Sequence, residues 1–143
     1  MPEGLYLEIV TAERLVYSGP VTLVSAPGQD GRLGILPGHA PLLAALRPGE
    51  LRLRPREGEE ISLAIGGGFL EVSDNRVVIL ARSAERAAEI DVERARQARE
   101  RALQRLRDRH GVDAERARAA LARAEARIKV AEKRRTTDGE QGR

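Results

Sequence analysis

The chain has 143 residues, of which 33% are charged and only 2% aromatic, with a formal net charge of +3 and no cysteine. That length suits one domain, or one small domain with an appendage. The absence of thiols excludes disulfides, thiolate metal sites and a thiol nucleophile, and three rings in all (Tyr6, Tyr17 and Phe69) argue against a stacking platform for single-stranded nucleic acid.

The first residues, MPEGLYLEIV, carry no basic segment followed by an apolar run, so no signal peptide is expected. No stretch approaches the roughly 20 apolar residues that cross a bilayer, so any membrane association is expected to come through a partner. All seven prolines lie at or before Pro55, and eleven of the fourteen glycines at or before Gly68. Because these residues punctuate turns and disrupt helix interiors, the first part reads as strand and the later part as helix, with the boundary near residues 83–89. Charge divides the same way. Residues 1–86 hold nine arginines against eleven acids, net −2, and residues 87–143 hold sixteen Lys/Arg against eleven acids, net +5. The basic half is a candidate docking surface for something acidic.

Along the first half, Leu5, Leu7 and Ile9 alternate with polar neighbours, and Val21, Leu23 and Ser25 alternate with Thr22 and Val24. Leu51 and Leu53 oppose Arg52 and Arg54, and Ile61, Leu63 and Ile65 oppose Glu60, Ser62 and Ala64. Residues 77–80 are a continuous apolar run, as in a strand covered on both sides. Turns are expected at residues 18–20, 47–49, 57–58 and 73–75. Many short strands at close spacing favour a sandwich or barrel.

In the second half Asp91 is a good N-cap for a first helix whose face runs through Val92, Ala95, Ala98, Ala102, Leu103 and Leu106. A break follows at residues 108–111, and Asp113 caps a second helix striped by Ala117, Ala120, Leu121, Ala124, Ile128 and Ala131. Together they predict an antiparallel hairpin. Alanine buries little area per residue, so its seam is weak beside the entropy of ordering the helices. Such a hairpin is marginal alone and able to change partners. Residues 134–143 are polar and aperiodic and are expected to be a disordered tail.

The glycine-rich stretches at residues 27–34 and 66–68 lack the Lys and hydroxyl residue of a phosphate-cradling loop and read as turns and close strand contacts. His39 and His110 have no second His or Cys at ligand spacing, so no metal is expected. No catalytic constellation is visible. The helical arginines fit a solvated face or a docking surface better than a nucleic-acid patch, because acids interleave with them.

Three segments carry more than composition: GRLGILPGHAPL at residues 31–42, GGGFLEV at 66–72, and AERAAEID at 84–91 leading into Arg94 and Ala95. Together, in this order, they resemble the hallmarks of the epsilon subunits of bacterial F-type ATP synthases, over residues 5 to about 132. The resemblance implies an α+β fold: an antiparallel β-sandwich of about ten strands over residues 1–86, then a two-helix hairpin over residues 87–133. It further implies a non-catalytic central-stalk subunit, peripheral on the cytoplasmic side of the cell membrane, that couples catalysis to proton translocation. The sandwich would pack on the gamma subunit and rest on the c-ring, with Arg32, Pro37, Gly38 and His39 in the ring-facing loop. Many relatives carry an acid where Arg32 stands, a departure that bears on any charge pairing there. The extended hairpin would reach acidic segments of the alpha and beta catalytic subunits and block ATP hydrolysis. No cofactor is required. The folded-down hairpin of some relatives binds regulatory ATP, and the matching residues here are Ile90, Asp91 and Arg94 of the motif, the pair Arg123 and Arg127, and nearby Glu85. The reading from another class is a free-standing nucleotide-binding module with no gamma contact.

Overall fold

In the computed structural model, the described residues are mostly strand as far as Arg86 and mostly helix from Val92 to Gln141. The structure describes residues 4–108 and 111–141, with side chains described for 4–108 and 114–133. The strands are β1 (Leu5–Val10), β2 (Leu15–Gly28), β3 (Gly31–Ile35), β4 (Leu42–Pro55), β5 (Ile61–Ser73), β6 (Arg76–Ala81) and β7 (Ala84–Arg86). A 3-10 turn (Ala87–Glu89) leads to helices α1 (Val92–Asp108) and α2 (Gly111–Gln141).

The strands form one sheet ordered β1-β6-β5-β4-β2-β3, with β1 also paired to β2, so five strands close into a flattened barrel. Strand β3 adds to β2, and β7 to β5. The sandwich class therefore holds, with two differences from expectation. The first is that β1 runs parallel to β6, whereas every other pairing is antiparallel. The second is that the described residues form seven strands where about ten were expected.

The count differs because punctuation bends strands here without ending them. Residues 18–20 lie inside β2 and residues 47–49 inside β4, so neither expected turn exists. Around Val21, β2 changes partner from β1 to β4. At residues 66–68, β5 changes partner from β7 to β6, with Gly67 and Gly68 at φ +96° and +147°. Each long strand thus serves both layers, and the Pro or Gly sits at the bend, where the ladder is interrupted anyway. The β5–β6 turn is the two-residue kind, with Asp74 and Asn75 both left-handed (φ 48° and 61°).

Leu5, Leu7, Ile9, Val21, Val24, Leu51, Leu53, Leu63, Ile65, Leu70 and Ile79 are all at most 1% exposed and form the core of the barrel. The apolar run of β6 is not covered on both sides: Val77 and Ile79 point inward, but Leu80 is 56% exposed. The helices pack against each other through buried Ala95, Ala102, Ala117 and Ala124, as the alanine stripes predict. Of the two, α2 carries the contacts with the sheet, along β4 and β5. A second small cluster joins them: Ala64, Ile90, Ala126, Val130 and Ala131. Backbone of α2 continues as helix to Gln141, beyond the end expected at 133. The side chains of the polar tail expected from Arg134, and those of His110 and Asp113, lie outside the described residues.

Candidate functional site: a charged cavity under the hairpin and an open sheet face

The hairpin hangs from a short, well-tied connection. Glu89 accepts the backbone N–H of Arg86 at 3.0 Å and pairs with Arg14 at 2.8 Å. The backbone bond from Arg86, with Arg14 beside it, outweighs burial and holds the Glu89 carboxyl below the usual range. Two residues on, Asp91 caps α1 by accepting the Arg94 N–H at 3.1 Å.

Between this connection, α1 and α2 lies a cavity of about 400 Å³, walled by Glu85, Glu89, Asp91, Arg94, Arg101 and Arg127 over a floor of Ala95 and Ala98. Its size falls in the range of small-ligand pockets. The fold brings together four of the six candidate residues: Glu85, Asp91, Arg94 and Arg127. Two lie elsewhere. Ile90 is 8% exposed and belongs to the apolar cluster under α2. Arg123 crosses bare β5 backbone, its Cδ 3.6 Å from where a Cβ on Gly66 would stand. Arg101 and Glu89 were not anticipated. Arg101 lies seven residues beyond Arg94, two helical turns along the same face of α1, so helical spacing alone could have found it.

The acids in this cavity are engaged: Glu85 holds the Arg127 Nε, Glu89 holds Arg14, and Asp91 holds a backbone amide. Arg94 and Arg101 pair with no carboxylate among the described residues. An alanine floor with arginines on two helices suits a flat ring carrying phosphates. Among the described residues no group of acids or histidines could hold a metal.

The ring-facing candidates divide. Pro37, Gly38 and His39 form a tight loop: Gly38 N–H donates to Asn75 Oδ1 at 2.7 Å, His39 N–H to the Leu36 carbonyl at 3.2 Å, and His39 Nδ1 meets the Ala40 carbonyl at 2.6 Å. Leu36 and Leu43 beside it are 59% and 71% exposed. Arg32 instead turns back on its own sheet, donating to Ser25 Oγ (2.9 Å), the Ser25 carbonyl (3.3 Å) and the Glu50 carbonyl. Burial, and then neighbouring Arg52, pull its pKa down. The guanidinium is committed to three oxygens within the chain.

On the outer face of the barrel the register aligns Ala45 with Phe69, Phe69 with Leu80, Leu80 with Val10, and Val10 with Leu15. Phe69, Leu80 and Leu15 are each more than half exposed. This is an apolar row across five strands, open to solvent.

Residues 4–87 match the family model for the ATP synthase delta/epsilon chain β-sandwich domain, and residues 88–132 match the model for its long α-helix domain. The chain belongs to the ATP synthase delta/epsilon chain family. It is 55% identical over 129 residues to the ATP synthase epsilon chain of Moorella thermoacetica, covering 90% of this chain and 96% of that one. It is also 55% identical over 132 residues to the epsilon chain of Herpetosiphon aurantiacus, covering 92% and 96%. Among solved structures, a chain in the mitochondrial ATP synthase of Euglena gracilis superimposes with a TM-score of 0.78 at 26% identity, covering 88% of this chain and 80% of that one. By its family the protein is a non-catalytic subunit of ATP synthase.

Proposed function

We propose that this chain works in the central stalk of the ATP synthase, coupling rotary catalysis to proton translocation and restraining ATP hydrolysis through its helices. The observation that carries the reading is the exposed apolar row from Ala45 through Phe69, Leu80 and Val10 to Leu15. A stiff closed sheet with one apolar face open is suited to grip a rotating shaft, and the gamma subunit is the partner assigned to it. The loop of Pro37, Gly38 and His39, with Leu36 and Leu43, forms the foot that rests on the c-ring. Its amides are tied to Asn75 and to the loop itself, so it transmits force without yielding. Membrane attachment is indirect, on the cytoplasmic side, and no helix among the described residues is long and apolar enough to span a bilayer.

The hairpin described here is the folded-down state. ATP in the cavity would place its phosphates among Arg94, Arg101 and Arg127 and its sugar or base near Glu85 and Asp91, stabilising this state by mass action. Released, the basic helices would reach the alpha and beta catalytic subunits and block hydrolysis. The decisive test is copurification with gamma. A stable one-to-one complex is expected, and no complex at micromolar concentration would leave only the free-standing nucleotide-binding module.

A further inference from the structure

Only two lysines occur in the whole chain, against 23 arginines, and they stand four residues apart at Lys129 and Lys133. Both converge on one carboxylate. Lys133 Nζ lies 2.6 Å from Glu50 Oε2 and Lys129 Nζ 3.6 Å from Glu50 Oε1. Glu50 belongs to β4 in the sandwich, and its side chain is only 3% exposed. Within the sandwich it has weaker company, Arg52 Nε at 3.9 Å with the Ser62 side chain nearby. Among the described residues the apolar cluster between hairpin and sheet is small, four of its seven members being alanines (Ala64, Ala87, Ala126 and Ala131). The charged contacts of α2 with the sandwich therefore carry weight beside it.

We propose that Glu50, Lys129 and Lys133 form a latch that holds α2 on the sandwich and fixes its register. The inference rests on the reading of the hairpin as a movable element. Docking strips Glu50 of water, and the two ammonium groups replace that solvation. A buried carboxylate that loses its partners is strongly penalised, whereas a pair replaced by apolar groups on both sides is close to neutral. Lysines four apart on one helix face can both reach a single point only when α2 sits at one rotation and one height. Lysine suits the task, since a compact point charge on a flexible stem fits beside a carboxylate that already has an arginine nearby. When α2 lifts, Glu50 regains water and the lysines join the basic surface of the freed hairpin. One group thus stabilises the docked state without locking it.

The sign of a three-step substitution series tests the latch. Spin labels on Glu57→Cys and Arg118→Cys report the distance between sandwich and α2 in the full chain, which has no native cysteine. Lys129→Met with Lys133→Met keeps the apolar stems but leaves Glu50 buried with its weaker partners. The ratio of docked to undocked hairpin is expected to fall at least tenfold. Adding Glu50→Leu to that background removes the stranded charge and is expected to restore docking. An unchanged distance in the double lysine variant overturns the proposal, as does failure of Glu50→Leu to restore it. Chemical modification of the unsubstituted lysines supplies a second readout that needs no refolded variant: acetylation, which cancels both charges, releases the hairpin, and reductive dimethylation, which keeps them, does not. Equal effects of the two reagents overturn the latch. These measurements use the isolated chain. A working latch combined with no change in ATP hydrolysis by the assembled enzyme would reject the regulatory reading and leave the latch standing.

Discussion

Arg127 of α2 and Glu85 of β7 form an ion pair at the wall of the charged cavity, with both side chains about one-third exposed (31% and 29%). On the proposed reading of the cavity as a nucleotide site, the same arginine would meet a phosphate, and an incoming nucleotide would compete with Glu85 for it. As a stability element such a partly exposed pair contributes about 1 kcal/mol or less.

For nucleotide binding, Arg127→Ala and Arg94→Ala should each weaken ATP by about tenfold or more, since a charge-assisted hydrogen bond contributes roughly 1.5–3 kcal/mol. Arg101→Ala should do the same, and Arg123→Ala should change affinity less, because Arg123 lies outside the cavity. Calorimetry on the four variants checks this; equal heats throughout would remove the site.

For the grip on gamma, Phe69→Ala with Leu80→Ala should weaken copurification by about 2 kcal/mol or more, the usual cost of truncating a buried aromatic anchor at an interface. Both residues are 56% exposed in the isolated chain, so its own melting should shift little, within about 0.5 kcal/mol per site. A parallel loss of fold and binding would mean that the row belongs to the core.

Acid should release the hairpin before it unfolds the barrel. Burial alone would raise the Glu50 pKa, but hydrogen bonding and charge from Lys133, then Ser62 and Lys129, outweigh it and hold the group below its ordinary 4.5. A carboxyl depressed in the docked state contributes docking stability that is full above its undocked value and lost as pH falls through the docked one. The label distance should therefore lengthen below about pH 4.5 and be unchanged between pH 6 and 8. A transition near neutrality would implicate another group.

The bend of β5 makes its own prediction. A Cβ on Gly68 would stand 2.0 Å from the Leu80 carbonyl oxygen, at a φ of +147°. Gly68→Ala should destabilise the barrel by about 3 kcal/mol or more, through strain that local relaxation cannot remove. Thermal melting gives the answer, and a shift of only a few tenths would show that the strand is free to straighten.

Truncation from Asp91 onwards should leave the barrel folded, because its core contains no helix residue. ATP hydrolysis by the assembled enzyme is expected to rise while assembly persists. Unchanged hydrolysis would count against the inhibitory role of the helices.

Composition and spacing alone settled the division of the chain into a strand-rich body and a helical hairpin, since Gly and Pro end where Ala and Arg take over. They also settled the alanine seam and the cap at Asp91, because these depend on neighbours within a turn or two. Four cavity residues came from the family resemblance, which also named Ile90 and Arg123, and only the fold separates those two from the cavity. What the sequence left open depended on contacts between distant segments. Residues 18–20 and 47–49 read as turns, yet become bends, because whether Pro and Gly end a strand depends on where the next partner strand lies. Leu80 reads as core and faces outward for want of a layer above it. Nothing near Glu50 in the chain sets it apart from the other acids, and only the packing of α2, some eighty residues later, brings the chain's two lysines to it. Local chemistry is written in order along the chain; burial and charge pairing are not, because they belong to surfaces that exist only once the strands have closed.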